Sequence, residues 1–230
     1  MKLFMIFACA RSGHHAVIQW IASQHNNIKH DNNITLENNI LVPKYKNQEP
    51  TEIYGKGEDY IVNVENFPFT TWINWSHIPQ IINAKPFQPI LVIRRFKNWL
   101  ASALTRIPEN MASIPIYQEH LTIAGNSLKP IPNLITIRFD DWFQNKEYRQ
   151  YLTTQLHIPF TDAGKDIVPY YGKGSSFDGR KYNHHATNMN VLNRYTQYST
   201  NQIYNQYLEQ YKDLNDMSEQ LFNSKPYETT

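Results

Sequence analysis

The stretch Leu3-Phe4-Met5-Ile6-Phe7-Ala8-Cys9-Ala10-Arg11-Ser12-Gly13-His14-His15-Ala16-Val17 decides how the chain is read. Residues 3–8 form an uninterrupted apolar run with the length of a buried strand, and Arg11-Ser12-Gly13 is a turn signal at its end. Ala16, Val17, Trp20 and Ile21 then follow at helical spacing. The order is strand, turn, helix. Backbone N–H groups in such a turn, together with the positive end of the helix and Arg11, can converge on one anionic group. Lys2 and the apolar residues up to Ala10 have the outline of a secretory leader, but the run is too short for one and its length suits the strand.

Working outward, residues 58–65 (EDYIVNVE) read as a second strand closed by Asn66-Phe67-Pro68, and residues 90–93 as a third. A helix is predicted over 96–106, stopped by Pro108. Residues 134–139 (LITIRF) read as a fourth strand, after which Asp140-Asp141 precedes a helical stretch that includes 148–156 and ends before Pro159. Strands alternating with helices predict an α/β fold, a three-layer sandwich around a central, mostly parallel sheet. Segments 26–57 and 109–133, interrupted by Pro, Asn and Gly, read as loops with short elements. Segment 170–185 carries glycines, serines, basic residues and two histidines, which suits a lid or ligand loop; apolar residues at helical intervals over about 190–222 predict one or two terminal helices.

Composition sets the outer limits. A chain of 230 residues with 41% hydrophobic side chains fills one core, so a single domain over 1–230 is expected. The 22 Lys and Arg nearly balance the 20 Asp and Glu, and no long basic block offers a phosphate-backbone footprint, which argues against nucleic acid as a partner but not against a small anion. One cysteine, Cys9, excludes a disulfide framework and fits a reducing, cytoplasmic setting. No run of about 18 apolar residues is present, so no membrane span is expected. Oligomeric state is not legible.

A second anion-type motif strengthens the first. In Leu91-Val92-Ile93-Arg94-Arg95-Phe96-Lys97-Asn98-Trp99-Leu100-Ala101-Ser102, Arg94 ends a strand and Ser102 stands eight residues later, inside the helix. This segment resembles the 3'-phosphate motif of the sulfotransferase family, and Ala10-Arg11-Ser12-Gly13-His14-His15 resembles that family's 5'-phosphosulfate loop. The family often has Lys at the position of Arg11 and Thr or Ser at those of His14 and His15. Arg preserves the charge and adds a fork of donors. Residues 137–143 (IRFDDWF) resemble the strand and acidic pair that follow, and Gly172-Lys173-Gly174-Ser175-Ser176-Phe177 with Arg180 stands where the late nucleotide-covering loop stands, without its usual Gly-x-x-Gly-x-Trp-Lys form.

The resemblance, spanning roughly residues 1–222, implies a P-loop NTPase-like sulfotransferase fold and the donor 3'-phosphoadenosine 5'-phosphosulfate (PAPS), released as 3',5'-phosphoadenosine (PAP), with no metal required. Arg11, Ser12, Gly13, His14 and His15 would meet the 5' side, Arg94 and Ser102 the 3'-phosphate, and Lys173 and Arg180 would reach over from the late loop. For Arg138 and Asp140-Asp141 a structural role, capping a helix and holding the sheet edge, is expected.

Sulfuryl transfer needs a base for the acceptor's proton and cations for the leaving phosphate, roles assigned to Glu65 on one side and to Arg11 and His14 on the other. Glu65 ends a predicted strand at the sheet edge where ligands bind; Glu37 and the histidines at 14 and 15 are the other candidates, and His184-His185 is a weak metal signal. The expected acceptor is a hydroxyl of a carbohydrate or small metabolite, with Phe67, Phe69, Trp72 and Trp75 available either to line its cleft or to fill the core. Two other readings stand beside this one. A nucleotide kinase using the early loop as a phosphate nest is disfavoured because the chain lacks the Walker Gly-x-x-x-x-Gly-Lys-Ser/Thr sequence, and a non-catalytic module for 3'-phosphonucleotides or sulfated glycans would need Arg94 and Ser102 but not Glu65.

Overall fold

The computed structural model describes residues 2–37, 40–43, 59–69, 86–106, 111–125, 132–168, 177–178, 182 and 185–226; the side chains of 36, 37, 40, 43 and 106 are outside that description. In chain order the elements are β1 (Leu3–Ala8), α1 (His14–Ala22), β2 (Ile28–Asp31), β3 (Ile34–Glu37), β4 (Ile40–Pro43), β5 (Asp59–Glu65), β6 (Phe87–Ile93), α2 (Phe96–Ala103), α3 (Ile114–Ala124), β7 (Ile135–Arg138), α4 (Phe139–Gln144), α5 (Lys146–Leu156), α6 (Gln202–Gln210) and α7 (Lys212–Asn223). Short 3-10 turns cover Leu104–Arg106, Met111–Ser113, Ala186–Asn188 and Arg194–Tyr198.

Five strands form one sheet in the order β2-β5-β1-β6-β7, every pairing parallel, while β3 and β4 make a separate antiparallel hairpin. All six residues of β1 are buried because the strand lies between β5 and β6 with helices on both faces. Its alternating side chains divide the interior in two. Leu3, Met5 and Phe7 join the core built with α2, α3, α6 and α7, whereas Phe4, Ile6 and Ala8 join the core built with α1, α4 and α5. The sheet is thus the middle layer of three, as expected.

Two expectations are corrected. Segment 109–133 contains an eleven-residue helix, α3; Pro115 reads as an interruption but occupies the first turn, where a missing N–H costs nothing. Asp140-Asp141 stand ahead of the stretch 148–156, now α5, as expected, but they also lie inside a helix of their own, α4, because the chain turns directly from β7 into a short helix. Segment 26–57 supplies β2 to the sheet edge as well as the hairpin. The C-terminal prediction resolves into two helices, α6 and α7. Among the described residues, no helix is long and apolar enough to cross a membrane.

Because the sheet is parallel, the carboxyl ends of β1, β5, β6 and β7 open on one edge. The chain runs from β1 toward β5 and β2 on one side and from β6 toward β7 on the other. A crevice between strand ends forms where the winding direction reverses.

Candidate active site

The loop after β1 is held open by unusual backbone geometry. Arg11 has φ of 75° and Gly13 has φ of 83°, two left-handed residues flanking Ser12. At Gly13 a side chain is doubly excluded, because a Cβ would lie 2.4 Å from the Phe139 ring. Ser12 N–H closes the turn on the Cys9 carbonyl at 3.1 Å. The first turn of α1 carries no side-chain cap of the usual Ser, Thr, Asp or Asn type; its Ala16 N–H turns back to the Gly13 carbonyl at 3.0 Å.

Neighbouring strand ends brace this loop. Asn66, in the left-handed region at φ 53°, accepts the Ala10 N–H at 2.8 Å through Oδ1 and donates its own N–H to the Ala8 carbonyl at 3.0 Å. Trp99 of α2 donates its indole N–H to the Ala10 carbonyl at 2.8 Å. Behind the loop, the Cys9 Sγ lies 3.7 Å from Nδ1 of the buried His120, whose Nε2 faces the Phe67 carbonyl at 3.2 Å. Burial pushes the thiol pKa up and pulls His120 down to about 4, so this pair is a neutral structural contact at pH 7.

The expected base and histidines do meet. Glu65 pairs in register with Ala8, which sets it beside the first turn of α1. His14, 2% exposed, brings Nε2 to 2.8 Å from Glu65 Oε1, a close contact without the alignment of a hydrogen bond; His15 Nε2 lies 3.9 Å from the same oxygen. One donor atom from each of the three residues lies within 4.8 Å of the others, a set able to hold a metal ion. His15 Nε2 is also 3.1 Å from Asn32 Oδ1, and His30 Nε2 is 3.1 Å from Asn63 Oδ1, so a polar wall extends toward β2. Burial, and next the charge of His14, pull His15 down to about 3; burial pulls His30 down to about 4.

The second motif is a buried cluster at the end of β6. Arg94, 2% exposed, donates Nη1–H to Ser102 Oγ at 3.1 Å and to the Arg11 carbonyl at 3.3 Å, and Nη2–H to the Val191 carbonyl. Its guanidinium lies over the Phe139 ring, 5.3 Å from the centroid. Burial, followed by the cation of Arg194, pulls Arg94 down to about 9, still charged at neutral pH. Ser102 Oγ also accepts Nη1–H of Arg194 at 3.0 Å. A hydroxyl has two lone pairs and one proton. Both lone pairs of this 1%-exposed residue are used, and its proton has no acceptor among the described residues; neither does the buried Nε–H of Arg94. Orphaned donors beside two cations are what an incoming anion would satisfy.

The acidic pair is structural, as expected. Asp140 accepts the Arg95 N–H at 3.0 Å and the Asn98 amide at 3.1 Å, fixing the start of α2, while Asp141 pairs with Arg138. Arg138 in turn donates to the Phe222 and Ser224 carbonyls and so ties β7 to the end of α7. Phe69 is in the core and Phe67 packs against it. His185 is exposed beside the 3-10 turn Ala186–Asn188. Lys173, Arg180, His184, Trp72 and Trp75 lie outside the described residues, as does the side chain of Glu37 at the end of β3.

No protein-family model matches the sequence, and a search of curated proteins gives no match. Among solved structures, the chain is similar to a mouse sulfotransferase, SULT7A1, complexed with PAP. The likeness covers 97% of this chain and 89% of that one at a TM-score of 0.53, with 15% identity. The chain has the sulfotransferase fold. The three-layer, parallel α/β architecture expected from sequence is that of this fold.

Sequence reasoning brought together Arg11, Ser12, Gly13, His14, His15 and Glu65 in one group and Arg94 with Ser102 in another. It missed Asn66 and Arg194. Asn66 carried a legible signal, since Asn is the residue most tolerant of left-handed φ after glycine and follows a strand end. Arg194 stands in a stretch read only for its helical periodicity, and nothing local marks it.

Proposed function

We propose that this protein is a PAPS-dependent sulfotransferase that transfers a sulfuryl group to a hydroxyl of a carbohydrate or small metabolite, and that residues 1–230 act as a single domain in the cytoplasm. The observation that carries this reading is the pair of candidate anion sites at the carboxyl ends of adjacent parallel strands, one of them holding a buried hydroxyl proton and an Arg94 Nε–H without acceptors among the described residues. A nucleotide bearing phosphate at both its 3' and 5' positions has the charge to occupy both. The PAP bound in the solved mouse sulfotransferase supports the same ligand class.

In this reading Arg94 and Ser102 hold the 3'-phosphate and so distinguish the donor from nucleotides that lack it. Arg11, Ser12, Gly13, His14 and His15 receive the 5' side through the first-turn N–H groups and the Arg11 charge, which gain strength as negative charge collects on the leaving oxygen. Lys173 and Arg180 are assigned to the cover of the nucleotide. The donor supplies the sulfuryl group; the chain's own contribution is charge, placement and a proton acceptor. Glu65 takes the acceptor's hydroxyl proton as the new S–O bond forms and the old one breaks, with the electron pair leaving on the phosphate. His14, whose Nε2 is 2.8 Å from Glu65 Oε1, is assigned to steer that proton. Protein cations and N–H groups meet the charge, so the proposed step needs no metal.

The test is an assay with labelled PAPS and a panel of glycans, alcohols and amines, run alongside Glu65→Gln. The glutamine variant should bind PAP as the wild type does while kcat falls about 100-fold, the scale of a lost general base. Unchanged turnover would remove Glu65 from the reaction. Absence of any PAP binding by the wild type would remove the donor.

A further inference from the structure

His14 and His15 open α1 and Glu65 closes β5, so the register of β5 on β1 brings a carboxylate to the first turn of the helix. Adjacent residues of a helix do not ordinarily face each other. Here the two imidazole rings converge, with centroids 4.2 Å apart and planes at 50°. Among the described residues, this is the one set of three His, Cys, Asp or Glu side chains whose donor atoms all lie within 4.8 Å of one another. Neither ring nitrogen of His14 has a hydrogen-bond partner among the described residues, although the residue is 2% exposed. A buried imidazole in that state costs free energy, and the Glu65 oxygen at 2.8 Å does not relieve it without hydrogen-bond alignment. The loop's proposed hold on the 5' side uses N–H groups and the Arg11 charge, not these two rings.

We infer that His14, His15 and Glu65 form a site for one divalent transition-metal ion of the zinc class, filled in alternation with the proton-accepting role of Glu65. The alternation rests on the function proposed above; the binding does not. Two imidazole nitrogens and one carboxylate oxygen are the donor set of zinc sites that keep a fourth position for water. Mg²⁺ and Ca²⁺ instead call for a larger shell of oxygens. A tetrahedral ion with bonds of about 2.1 Å sets its donors roughly 3.4 Å apart. The distances from Glu65 Oε1, 2.8 Å to His14 Nε2 and 3.9 Å to His15 Nε2, bracket that value. Asn32 Oδ1, 3.1 Å from His15 Nε2, holds that ring in place until the ion arrives; the neutral ring then carries its proton on Nδ1 and offers the Nε2 lone pair. With the ion bound, the Glu65 oxygen is committed to the metal and no longer open to an acceptor's proton.

The test is calorimetric titration of the full, untagged chain with Zn²⁺, with Co²⁺ as a spectroscopic probe of coordination. One Zn²⁺ per chain should bind with a Kd of about 1 μM or below. Co²⁺ should give the visible absorption of a four- or five-coordinate ion, and Mg²⁺ should not compete. His14→Ala and Glu65→Gln should each weaken Zn²⁺ about 100-fold and His15→Ala at least about 10-fold, while His185→Ala, at an exposed histidine outside the set, should change it by less than about 2-fold. Should His14→Ala fail to fold, as judged by circular dichroism, Glu65→Gln and His15→Ala, whose side chain is 25% exposed, carry the test. Absence of stoichiometric Zn²⁺, or equal affinity in the wild type and the site variants, would overturn the site. With labelled PAPS and an acceptor that the wild type turns over, one equivalent of Zn²⁺ should lower turnover at least about 10-fold as general-base help is lost, and a chelator should restore it. Turnover indifferent to bound Zn²⁺ would overturn the alternation. A wild type that neither binds PAP nor transfers would instead sink the donor reading, a failure the metal titration does not share.

Discussion

The two regions proposed to receive anions lie on adjacent strand ends but are made from opposite materials. The loop after β1 is built of backbone: two left-handed residues, an uncapped helix start and a glycine with no room for a methyl group. The cluster after β6 is built of side chains, Arg94, Ser102 and Arg194, all nearly out of solvent and linked by hydrogen bonds. The first stores its cost as conformational strain and the second as desolvated charge. This difference teaches where each should be fragile. The loop should respond to changes in shape, the cluster to changes in charge.

The largest effect should come from the cluster. Arg94→Ala removes a buried cation that donates to Ser102 Oγ and to the Arg11 and Val191 carbonyls, and should weaken PAP binding about 200-fold, the roughly 3 kcal/mol typical of truncating one partner of a buried charged network. Calorimetry would read it, and a change under about 10-fold would mean that the cluster is not the principal 3' contact. Next is the loop. Gly13→Ala should cost about 2 kcal/mol of stability, lowering Tm by roughly 4–8 °C, because the new methyl meets both a left-handed backbone and the Phe139 ring. Adding Phe139→Leu should recover part of that loss; no recovery would show that the backbone alone sets the cost.

Smaller still, Arg11→Gly should relieve the strain of φ 75° and raise stability by about 0.5 kcal/mol while weakening the 5' side. A stabilised protein with impaired turnover would separate shape from charge within one residue. Outside that ranking, because its size depends on the pH chosen, stands a tilt with pH. His15 and His30 are held at about 3 and about 4 in the fold, below the ordinary 6.5, so the unfolded chain takes up protons that the folded one refuses. Their contribution is therefore complete above pH 6.5 and lost as pH falls toward 3. His15→Gln should flatten the denaturation midpoint between about pH 6.5 and 4, and an unaltered slope would show that His15 is not kept neutral.

Much of the fold was open to reading because a parallel sheet leaves an unambiguous trace. Residues 3–8 and 90–93 are apolar without alternation, since both faces of those strands are covered. Helix α3 escaped because a proline in the first turn resembles a break until the N-terminus is located. The candidate site divided along the same line as the comparison above. Arg11 to His15 and Arg94 to Ser102 are contiguous segments whose spacing carries the pattern. Arg194 meets Ser102 from 92 residues away, and the contact of His14 with Glu65 depends on the register of β1 with β5. Tertiary proximity of that kind leaves no local signature.

The hydrogen bonds from Arg94 to the Arg11 carbonyl and from Trp99 to the Ala10 carbonyl have a consequence for selection. They fasten the loop to the end of β6 and to α2, so the gap between the two sites is fixed by rigid elements and not by the ligand. Under the proposed function the crevice is a caliper. What it would measure is the interval between two negative charges on one molecule, so that a nucleotide with the right groups at the wrong spacing would satisfy one jaw but not both.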